Sequence, residues 1–470
     1  MKRKKTYLRF ILILAVCLAF AVGGFFFYKV ATPRETELVI CATASKKSTV
    51  SAFLGYYHKL YPRVKTTVQY IPEGYNTKTG LPSADLEAKR AAALQTLRVE
   101  LMAGKGPDVF LCELDVYELM DSDFLQPLFP DLMKSAEAGA FADMSQYIQR
   151  DKEFHSEDYI LPLFAAGQLE GKQYVIPLTC TVPGITVMAQ PLAKSGFNET
   201  KAAQDFTSFW AELTRCVPPE ELANGYIDTA TLLLSTKQPA ITYPQHEIFL
   251  ETPAFKERYA AYAQYSETVR AFPKNTSVRM GDYPEEIAAA ENGAFMLNGW
   301  YGSMLQMELP YLAAAKELES RFLPIPTEDG GAAAVVENYA VVRANSKNKQ
   351  NAWNFIRLFL SESAQRNEQV EVDGHYYLEN SWMRNTYPVH KAAFANSLAE
   401  SGPSAINGIP TATLFGKIVQ DWASLPQRIT AGKLPTVSDA KICTMLRDDK
   451  KTQEQILTEI TEALRLYLSE

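Results

Sequence analysis

One pair of residues in this 470-residue chain has carboxylates placed to bind a polar molecule. Glu113 and Asp115 follow the apolar run Val109 to Cys112, a pattern that predicts a buried strand ending beside them. Ionised carboxylates accept hydrogen bonds from hydroxyl groups. The alternative is that these acids begin a helix, where a negative charge also stabilises the helix N-terminus.

A second pair offers aromatic rings. Trp300 and Tyr301 follow the segment 294–297, which the sequence predicts to be a strand, and the turn Asn298-Gly299. Flat aromatic faces stack on the apolar side of a ligand, and ordinary core packing is the alternative role. Trp382, shortly before Tyr387, is a further candidate for an aromatic wall, and packing between lobes is equally compatible with its position.

The motifs that support enzymatic chemistry are absent from the sequence. It contains no Gly-x-Ser-x-Gly elbow, no His-Glu-x-x-His pair and no Gly-x-x-x-x-Gly-Lys-Ser/Thr loop. The five histidines lack metal-ligand spacing, and acid pairs such as Glu285-Glu286 are typical of solvated helix surfaces. We therefore predict that the chain is not an enzyme and needs neither a cofactor nor a metal.

The N-terminus differs from the rest of the chain. Lys2 to Lys5 and Arg9 are basic and precede Phe10 to Tyr28, a run of 19 residues without a charge, all read from the sequence. This pattern predicts a cytoplasmic segment over 1–9, a transmembrane anchor over 10–28 and a linker over 29–36. Two alternatives are a signal peptide cut near Gly23 and a lipoprotein signal ending at Cys17.

Charge and cysteine content restrict the partners. Without residues 1 to 34 the chain keeps 40 basic and 54 acidic residues, a net charge of −14, so we predict no nucleic-acid partner. Five cysteines follow Cys17, and their wide, apolar settings favour buried free thiols over a disulfide framework or a zinc site. The negative surface also predicts a monomer.

The order of predicted elements indicates an α/β fold. Strand-like runs at 37–42, 64–71 and 109–112 alternate with two helical patterns. Ser48 is placed to cap the first, and the second, marked by Leu94, Leu97 and Leu101, is predicted to end at Gly104. Further patterns predict strand character over 174–188, interrupted by Pro177 and Pro183, and a mostly parallel sheet overall. The length predicts at least two lobes, and the last helix is predicted to start with a Thr452 and Gln455 capping box.

Four segments, in this order, resemble family 1 of the extracellular solute-binding proteins, which includes the maltose-binding proteins. They are Leu101 to Val109, Gly171 to Pro177, Asn292 to Trp300, and Ala344 to Lys349 with the helix that follows. Each alone is turn chemistry that many α/β proteins use. Together they span most of the chain.

The resemblance implies a two-lobed periplasmic-binding-protein-like fold (type II), with lobe 1 over 37–178 plus 334–378 and lobe 2 over 179–333 plus 379–470. It implies hinge residues at Thr179, Thr181, Glu337 and Asn338, and a further ligand candidate at Tyr339. A carbohydrate would bind between the lobes, hinge closure would follow, and an ABC permease in the same membrane would receive it. A receptor for a sensor kinase and a surface polysaccharide hydrolase or lyase remain the alternatives.

Overall fold

The structure is a computed structural model, and all that follows concerns the residues that it describes. These are 36–76, 83–113, 127–224, 229–270, 288–297, 316, 318–368, 370–372, 375–377, 386–400, 405–406, 409–410, 416–448 and 450–469.

Strands and helices alternate along the first half of these residues. The strands are β1 (Thr36–Thr43), β2 (Val64–Ile71), β3 (Val109–Glu113), β4 (Gln168–Leu169), β5 (Lys172–Gln173), β6 (Val175–Thr181), β7 (Gly184–Met188), β8 (Ile241–Thr242), β9 (Glu247–Ile248), β10 (Ser320–Pro324), β11 (Ala332–Val342), β12 (Val370–Val372), β13 (His375–Tyr377), β14 (Tyr387–Pro388), β15 (Ala405–Ile406), β16 (Ile409–Pro410) and β17 (Ile429–Lys433).

The helices are α1 (Lys47–Leu60), α2 (Ala84–Met102), α3 (Leu132–Glu137), α4 (Ser145–Arg150), α5 (Leu161–Ala166), α6 (Ala189–Lys194), α7 (Glu199–Ala202), α8 (Phe206–Cys216), α9 (Pro219–Asn224), α10 (Ala230–Leu234), α11 (Pro253–Arg270), α12 (Lys349–Leu360), α13 (Glu362–Gln365), α14 (Lys391–Glu400), α15 (Gly416–Arg428), α16 (Val437–Leu446) and α17 (Gln453–Ser469). Short 3-10 turns lie at 44–46, 156–158 and 249–251.

The main sheet has the strand order β14-β6-β11-β3-β1-β2, with β17 also paired to β11. β1 is parallel to β2 and β3, whereas β11 is antiparallel to β3 and β6. The expected mostly parallel sheet is therefore wrong: the sheet is mixed. β11 follows β10, which pairs with β7, and the 325–331 turn, and it runs through the sheet in the direction opposite to β3.

Two hydrophobic cores divide these elements. The first packs around β1, β3, β6 and β11, with α1 and α12 contributing stacked rings such as Phe53 and Phe359, whose centroids are 3.8 Å apart. The second packs around β7, α8, α11 and α16, with Trp210 at its centre. Two separate cores are the physical basis of two lobes.

Three chain segments pass between the two cores. β6 continues through Pro183 into β7, β10 leads into β11, and β17 leads into α16. Tyr387, Phe394 and Trp422, which fall in the predicted second lobe, pack in the first core. The predicted lobe boundaries as such stay predictions.

Several local expectations are met and others are wrong. Gly104 ends α2 in the left-handed region at φ +69°, as glycine does at a helix C-terminus, and Thr452 and Gln455 exchange both capping hydrogen bonds. Ser48 does not cap α1, which begins one residue earlier without a side-chain cap. Pro177 lies inside β6 and only Pro183 interrupts the chain.

The segment 294–297 is not a strand. The strand that pairs with β7 is β10, along the whole length from Gly184 to Met188. The segment 294–297 adds one backbone hydrogen bond to β7, from Met188 N to Phe295 O (2.9 Å). The five cysteines after Cys17 are free thiols, and Cys216 is the half-exposed one among them.

A buried carboxylate joins the segments that build the first lobe. Asp108 is 4% exposed and accepts hydrogen bonds from Val39 N (3.1 Å), Ser346 Oγ (2.7 Å) and Asn348 Nδ2 (3.0 Å). Arg343 pairs with the same carboxylate at 3.3 Å and donates to Gly104 O and Pro107 O. Two of the four segments that resemble the solute-binding family, 101–109 and 344–349, therefore meet at the Asp108 side chain.

Among the described residues, no helix has the length and apolar character that crossing a membrane requires. The predicted anchor over 10–28 lies outside those residues.

Replacing Asp108 by asparagine should lower the free energy of unfolding by about 2 to 4 kcal/mol, because it leaves the half-buried Arg343 guanidinium without its counter-charge. Urea denaturation measures the change. The matched control is Asp85→Asn, which breaks the exposed Asp85–Lys89 pair (2.6 Å) and should cost less than about 0.5 kcal/mol. Equal effects of the two substitutions would contradict the central role of Asp108.

Candidate functional site

The carboxyl ends of β1 and β3 bring an ion pair to one edge of the sheet. Lys46 follows β1, Glu113 ends β3, and Lys46 Nζ lies 2.7 Å from Glu113 Oε2. The side chains keep 16% and 32% of their exposure, so solvent or a ligand reaches both. In open α/β sheets, ligands bind in the crevice outside the carboxyl ends of the strands.

A second carboxylate orders the loop beside this pair. Glu73, after β2, accepts a hydrogen bond from Ser45 N at 2.7 Å, and its other oxygen is 3.9 Å from Arg90 Nη1. Ser45 precedes Lys46, so Glu73 fixes the backbone that presents the Lys46 ammonium. This carboxylate acts as a support for the ion pair.

Asn338 continues the row of polar groups across the sheet. On β11 it is the register partner of Glu113 of β3 and of Thr179 of β6, so the three side chains lie on one face. Thr179 Oγ1 accepts from Asn338 Nδ2 at 2.7 Å and from Asn338 N at 3.2 Å. The Oδ1 atom of Asn338 is buried and accepts no hydrogen bond from any residue that the structure describes.

Two irregularities interrupt the pairing of β6 with β11 where the strands leave the first lobe. The register shifts between Val336 and Asn338, and again between Asn338 and Tyr339. The first shift leaves Glu337 opposite no residue, and its Oε1 accepts a hydrogen bond from Thr181 Oγ1 at 3.2 Å. Bulges of this kind redirect side chains and often lie beside functional sites.

The four predicted hinge residues thus form two bonded pairs, Thr179 with Asn338 and Thr181 with Glu337. All four are at least nine-tenths buried. Side-chain hydrogen bonds tie the two crossing strands to each other at the point where the chain changes lobe. Their role in movement stays a prediction.

Tyr339, predicted as a ligand residue, lies on the opposite face of β11 from Asn338, because successive side chains of a strand alternate. It is 1% exposed and packs in the first core beside Cys112, its partner on β3. Burial raises the pKa of Cys112 to about 12 and the pKa of Tyr339 well above its usual value. Both groups stay protonated and have the position of core residues.

Asp115, Trp300, Tyr301 and Trp382 lie outside the described residues. Of the predicted ligand set, the structure therefore places Glu113 at the site and Tyr339 in the core. Sequence reasoning missed Lys46 and Glu73. The sequence does contain a signal for Lys46. It is a cation shortly after the buried parallel strand β1, and Glu113 is an anion at the end of the buried parallel strand β3.

The row of Lys46, Glu113 and Asn338 offers an ammonium donor, a carboxylate acceptor and an amide. Such a set hydrogen-bonds a ligand that carries several donors and acceptors close together. Among the described residues, no group of three or more histidine, cysteine or acidic side chains is arranged to hold a metal ion.

A separate cavity of about 480 Å³ lies between α5, β17 and the 239–245 turn. Asp131 in its wall is already bonded, accepting from Tyr243 Oη at 2.8 Å and from Met133 N and Lys134 N at 3.0 Å each. None of the residues of the polar row lines it. The cavity lies along the third crossing segment, from β17 to the start of α16, whereas the polar row lies where the carboxyl ends of β1 and β3 meet the crossing strands β6 and β11.

Two cores joined by crossing strands, with a polar row at the carboxyl edge between them, define the chain as an α/β protein with a periplasmic-binding-protein-like fold. The family model "Bacterial extracellular solute-binding protein" matches residues 43–366, and the chain belongs to this family. Membership implies an extracytoplasmic location. A search of curated proteins found no match.

Solved structures share the fold. The sugar-binding protein MalE of Xanthomonas citri is 13% identical, with a TM-score of 0.61 over 92% of this chain and 98% of that one. A family 1 extracellular solute-binding protein of Alicyclobacillus acidocaldarius is 13% identical, with a TM-score of 0.55 over 93% and 100%. The GacH receptor of Streptomyces glaucescens is 13% identical, with a TM-score of 0.50 over 93% and 100%.

Replacing Thr179 by valine should lower the free energy of unfolding by about 2 kcal/mol, because it leaves two buried N–H donors of Asn338 without an acceptor. Thr179→Ser is the matched control, since it keeps the hydroxyl and removes only a methyl group, which costs about 1 kcal/mol. Urea denaturation compares both variants with the parent. A serine variant as unstable as the valine variant would show that the hydroxyl does not tie the strands together.

Proposed function

We propose that this protein is the solute-binding subunit of an ABC importer and that its cargo is a carbohydrate, with an oligosaccharide favoured. The cargo binds between the two lobes against the polar row of Lys46, Glu113 and Asn338, and the lobes close on it. The protein then delivers the cargo to a permease in the same membrane. The predicted segment over 10–28 tethers it there.

The observation that carries the proposal is the position of the Lys46–Glu113 pair, 2.7 Å apart and still partly exposed at the carboxyl edge of the sheet. A sugar hydroxyl donates one hydrogen bond and accepts others, so an adjacent ammonium and carboxylate suit two neighbouring hydroxyls. The buried Oδ1 of Asn338, which has no partner within the described part of the chain, lies in the same row.

The fold relatives support the class of cargo. MalE of Xanthomonas citri is described as a sugar-binding protein, and the GacH receptor was solved in complex with acarbose. Both share their fold with this chain at low sequence identity. The carbohydrate assignment here therefore rests on the site chemistry together with that shared fold.

Closure is favoured by the way the lobes are joined. The crossing strands β6 and β11 are bonded to each other through Thr179 with Asn338 and Thr181 with Glu337, and no long linker separates the two cores at this point. Paired strands bend as a unit, which suits rotation of one lobe on the other.

Isothermal titration of a panel of glucosides, maltodextrins and other oligosaccharides should identify at least one ligand. For that ligand, Lys46→Met and Glu113→Gln should each weaken binding by about 2 kcal/mol, roughly thirtyfold, because each removes a charged hydrogen-bonding partner. Lys451→Met is the matched control, since it breaks an exposed lysine–acid pair with Glu459 (2.6 Å) beside the second core and should leave affinity unchanged.

A panel without any binding saccharide would overturn the carbohydrate proposal. Chromatography of the titrated ligand separates binding from catalysis, and consumption of the saccharide would indicate a hydrolase or lyase. Equal losses in the Lys451 control would move the site away from Lys46 and Glu113.

Trp300 is proposed as the aromatic platform of the same site. Phe295 and Leu297, close before it in the sequence, are buried in the second core. Trp300→Ala should weaken binding by about 2 kcal/mol and leave unliganded stability nearly unchanged.

The matched control for Trp300 is Trp210→Ala. Trp210 is 1% exposed in the second core, so its removal should cost about 3 to 5 kcal/mol of stability. Calorimetric affinity and thermal unfolding are measured on each variant. A Trp300 variant that loses stability and binds normally would mark Trp300 as a core residue.

A further inference from the structure

The amino ends of the sheet form a second surface, opposite the ligand site. Because β1, β2 and β3 are parallel, their amino ends share one edge, together with the carboxyl end of β11 and the last turns of α1 and α2. We call this surface the amino pole and define it by Thr36, Glu37 and the segments 58–65, 99–108 and 343–349. Residues 1–35 join the fold here, at Thr36.

Exposed apolar side chains concentrate on the amino pole. Five large apolar side chains of the described residues are exposed, and three of them, Leu60 (45%), Val99 (55%) and Met102 (89%), lie here. Val99 and Met102 are three residues apart on α2, so they share one face of the helix. Side chains this exposed gain free energy if an apolar phase covers them.

The same surface is basic, although the chain as a whole carries a net charge of −7. Its exposed cations are Lys59, Arg63, Lys65, Lys105 and Lys347. Glu37 is the one exposed acid among the described residues of the amino pole. It lies on β1, directly opposite Lys65 on β2. Asp108 is buried and bonded to Arg343, and Glu100 is half-buried.

We propose that the amino pole binds an anionic lipid surface. Apolar side chains interleaved with lysine and arginine are the combination that binds the interface of an anionic bilayer, where each cation near the surface contributes about 1 kcal/mol. The connection to residues 1–35 favours lipid over other anionic partners. Those residues include the uncharged run 10–28, and the seven residues 29–35 reach at most about 25 Å when extended.

The proposal uses the tether of the proposed function only to place the amino pole near the bilayer. The apolar and charged side chains themselves are independent of the cargo. With the amino pole on the lipid, the Lys46–Glu113 edge opens away from the membrane, because it lies at the opposite ends of the same strands. This orientation exposes the site for capture, and release from the lipid precedes any contact of that edge with a permease.

The test uses the full chain in nanodiscs of phosphatidylcholine, with or without phosphatidylglycerol, and follows hydrogen–deuterium exchange in peptides that cover 58–65 and 99–108. Exchange there should be at least about fivefold slower in the anionic discs, the factor that corresponds to the 1 kcal/mol contributed by a single cation. The triple variant Arg63→Glu, Lys105→Glu and Lys347→Glu should lose this slowing.

The matched control reverses three exposed lysines outside the amino pole, as Lys172→Glu, Lys194→Glu and Lys450→Glu. It has the same net charge and should keep the slowing. Equal exchange in both kinds of disc, or loss of slowing in the control, overturns the proposal. Slowing that requires an added permease would identify a protein partner instead. Saccharide affinity should be unchanged in both triple variants, so this result and the cargo proposal succeed or fail separately.

Discussion

The Asp108 carboxylate is the contact on which the first lobe depends. It joins β1 at Val39 to Ser346 and Asn348 beyond β11, and its partner Arg343 is 235 positions away along the chain. The backbone ladder between β3 and β11 and apolar packing, which is not directional, also hold these two distant stretches of chain together, and the Asp108 contact adds a side-chain anchor that a shifted register would break. Four donors around one buried carboxylate supply that direction and satisfy its charge.

That register determines the proposed ligand site. Once β11 is fixed beside β3, Asn338 lies opposite Glu113, and the bulge at Glu337 follows where β11 leaves the first lobe. The side-chain pairs between β6 and β11 then connect the site to the crossing strands. The polar row and the proposed movement therefore depend on the same few hydrogen bonds.

The sequence predicted individual helices and strands better than it predicted which strands lie next to each other. Leu94 and Leu97 are buried on α2 as their helical spacing indicates, and Gly104 stops that helix because its φ of +69° suits glycine. These features depend on neighbours along the chain. The pairing of Lys46 with Glu113 depends on the contact of two strand ends, which local spacing does not contain. Tyr339 shows the same limit, since adjacent residues of one strand face opposite sides and only the register decides which side is the core.

Net charge is a similarly incomplete guide to binding partners, because it averages over surfaces that differ in local charge. The net charge of −14 outside residues 1 to 34 excludes a general affinity for polyanions, yet the exposed side chains of the amino pole are mainly basic and apolar. Electrostatic attraction to a surface falls off within about 10 Å at moderate ionic strength, so the charges nearest the partner dominate. Parallel strands keep the two kinds of surface apart, because β1, β2 and β3 all begin at one edge and end at the other. The acids of the ligand edge therefore lie a full strand length away from the cations of the amino pole.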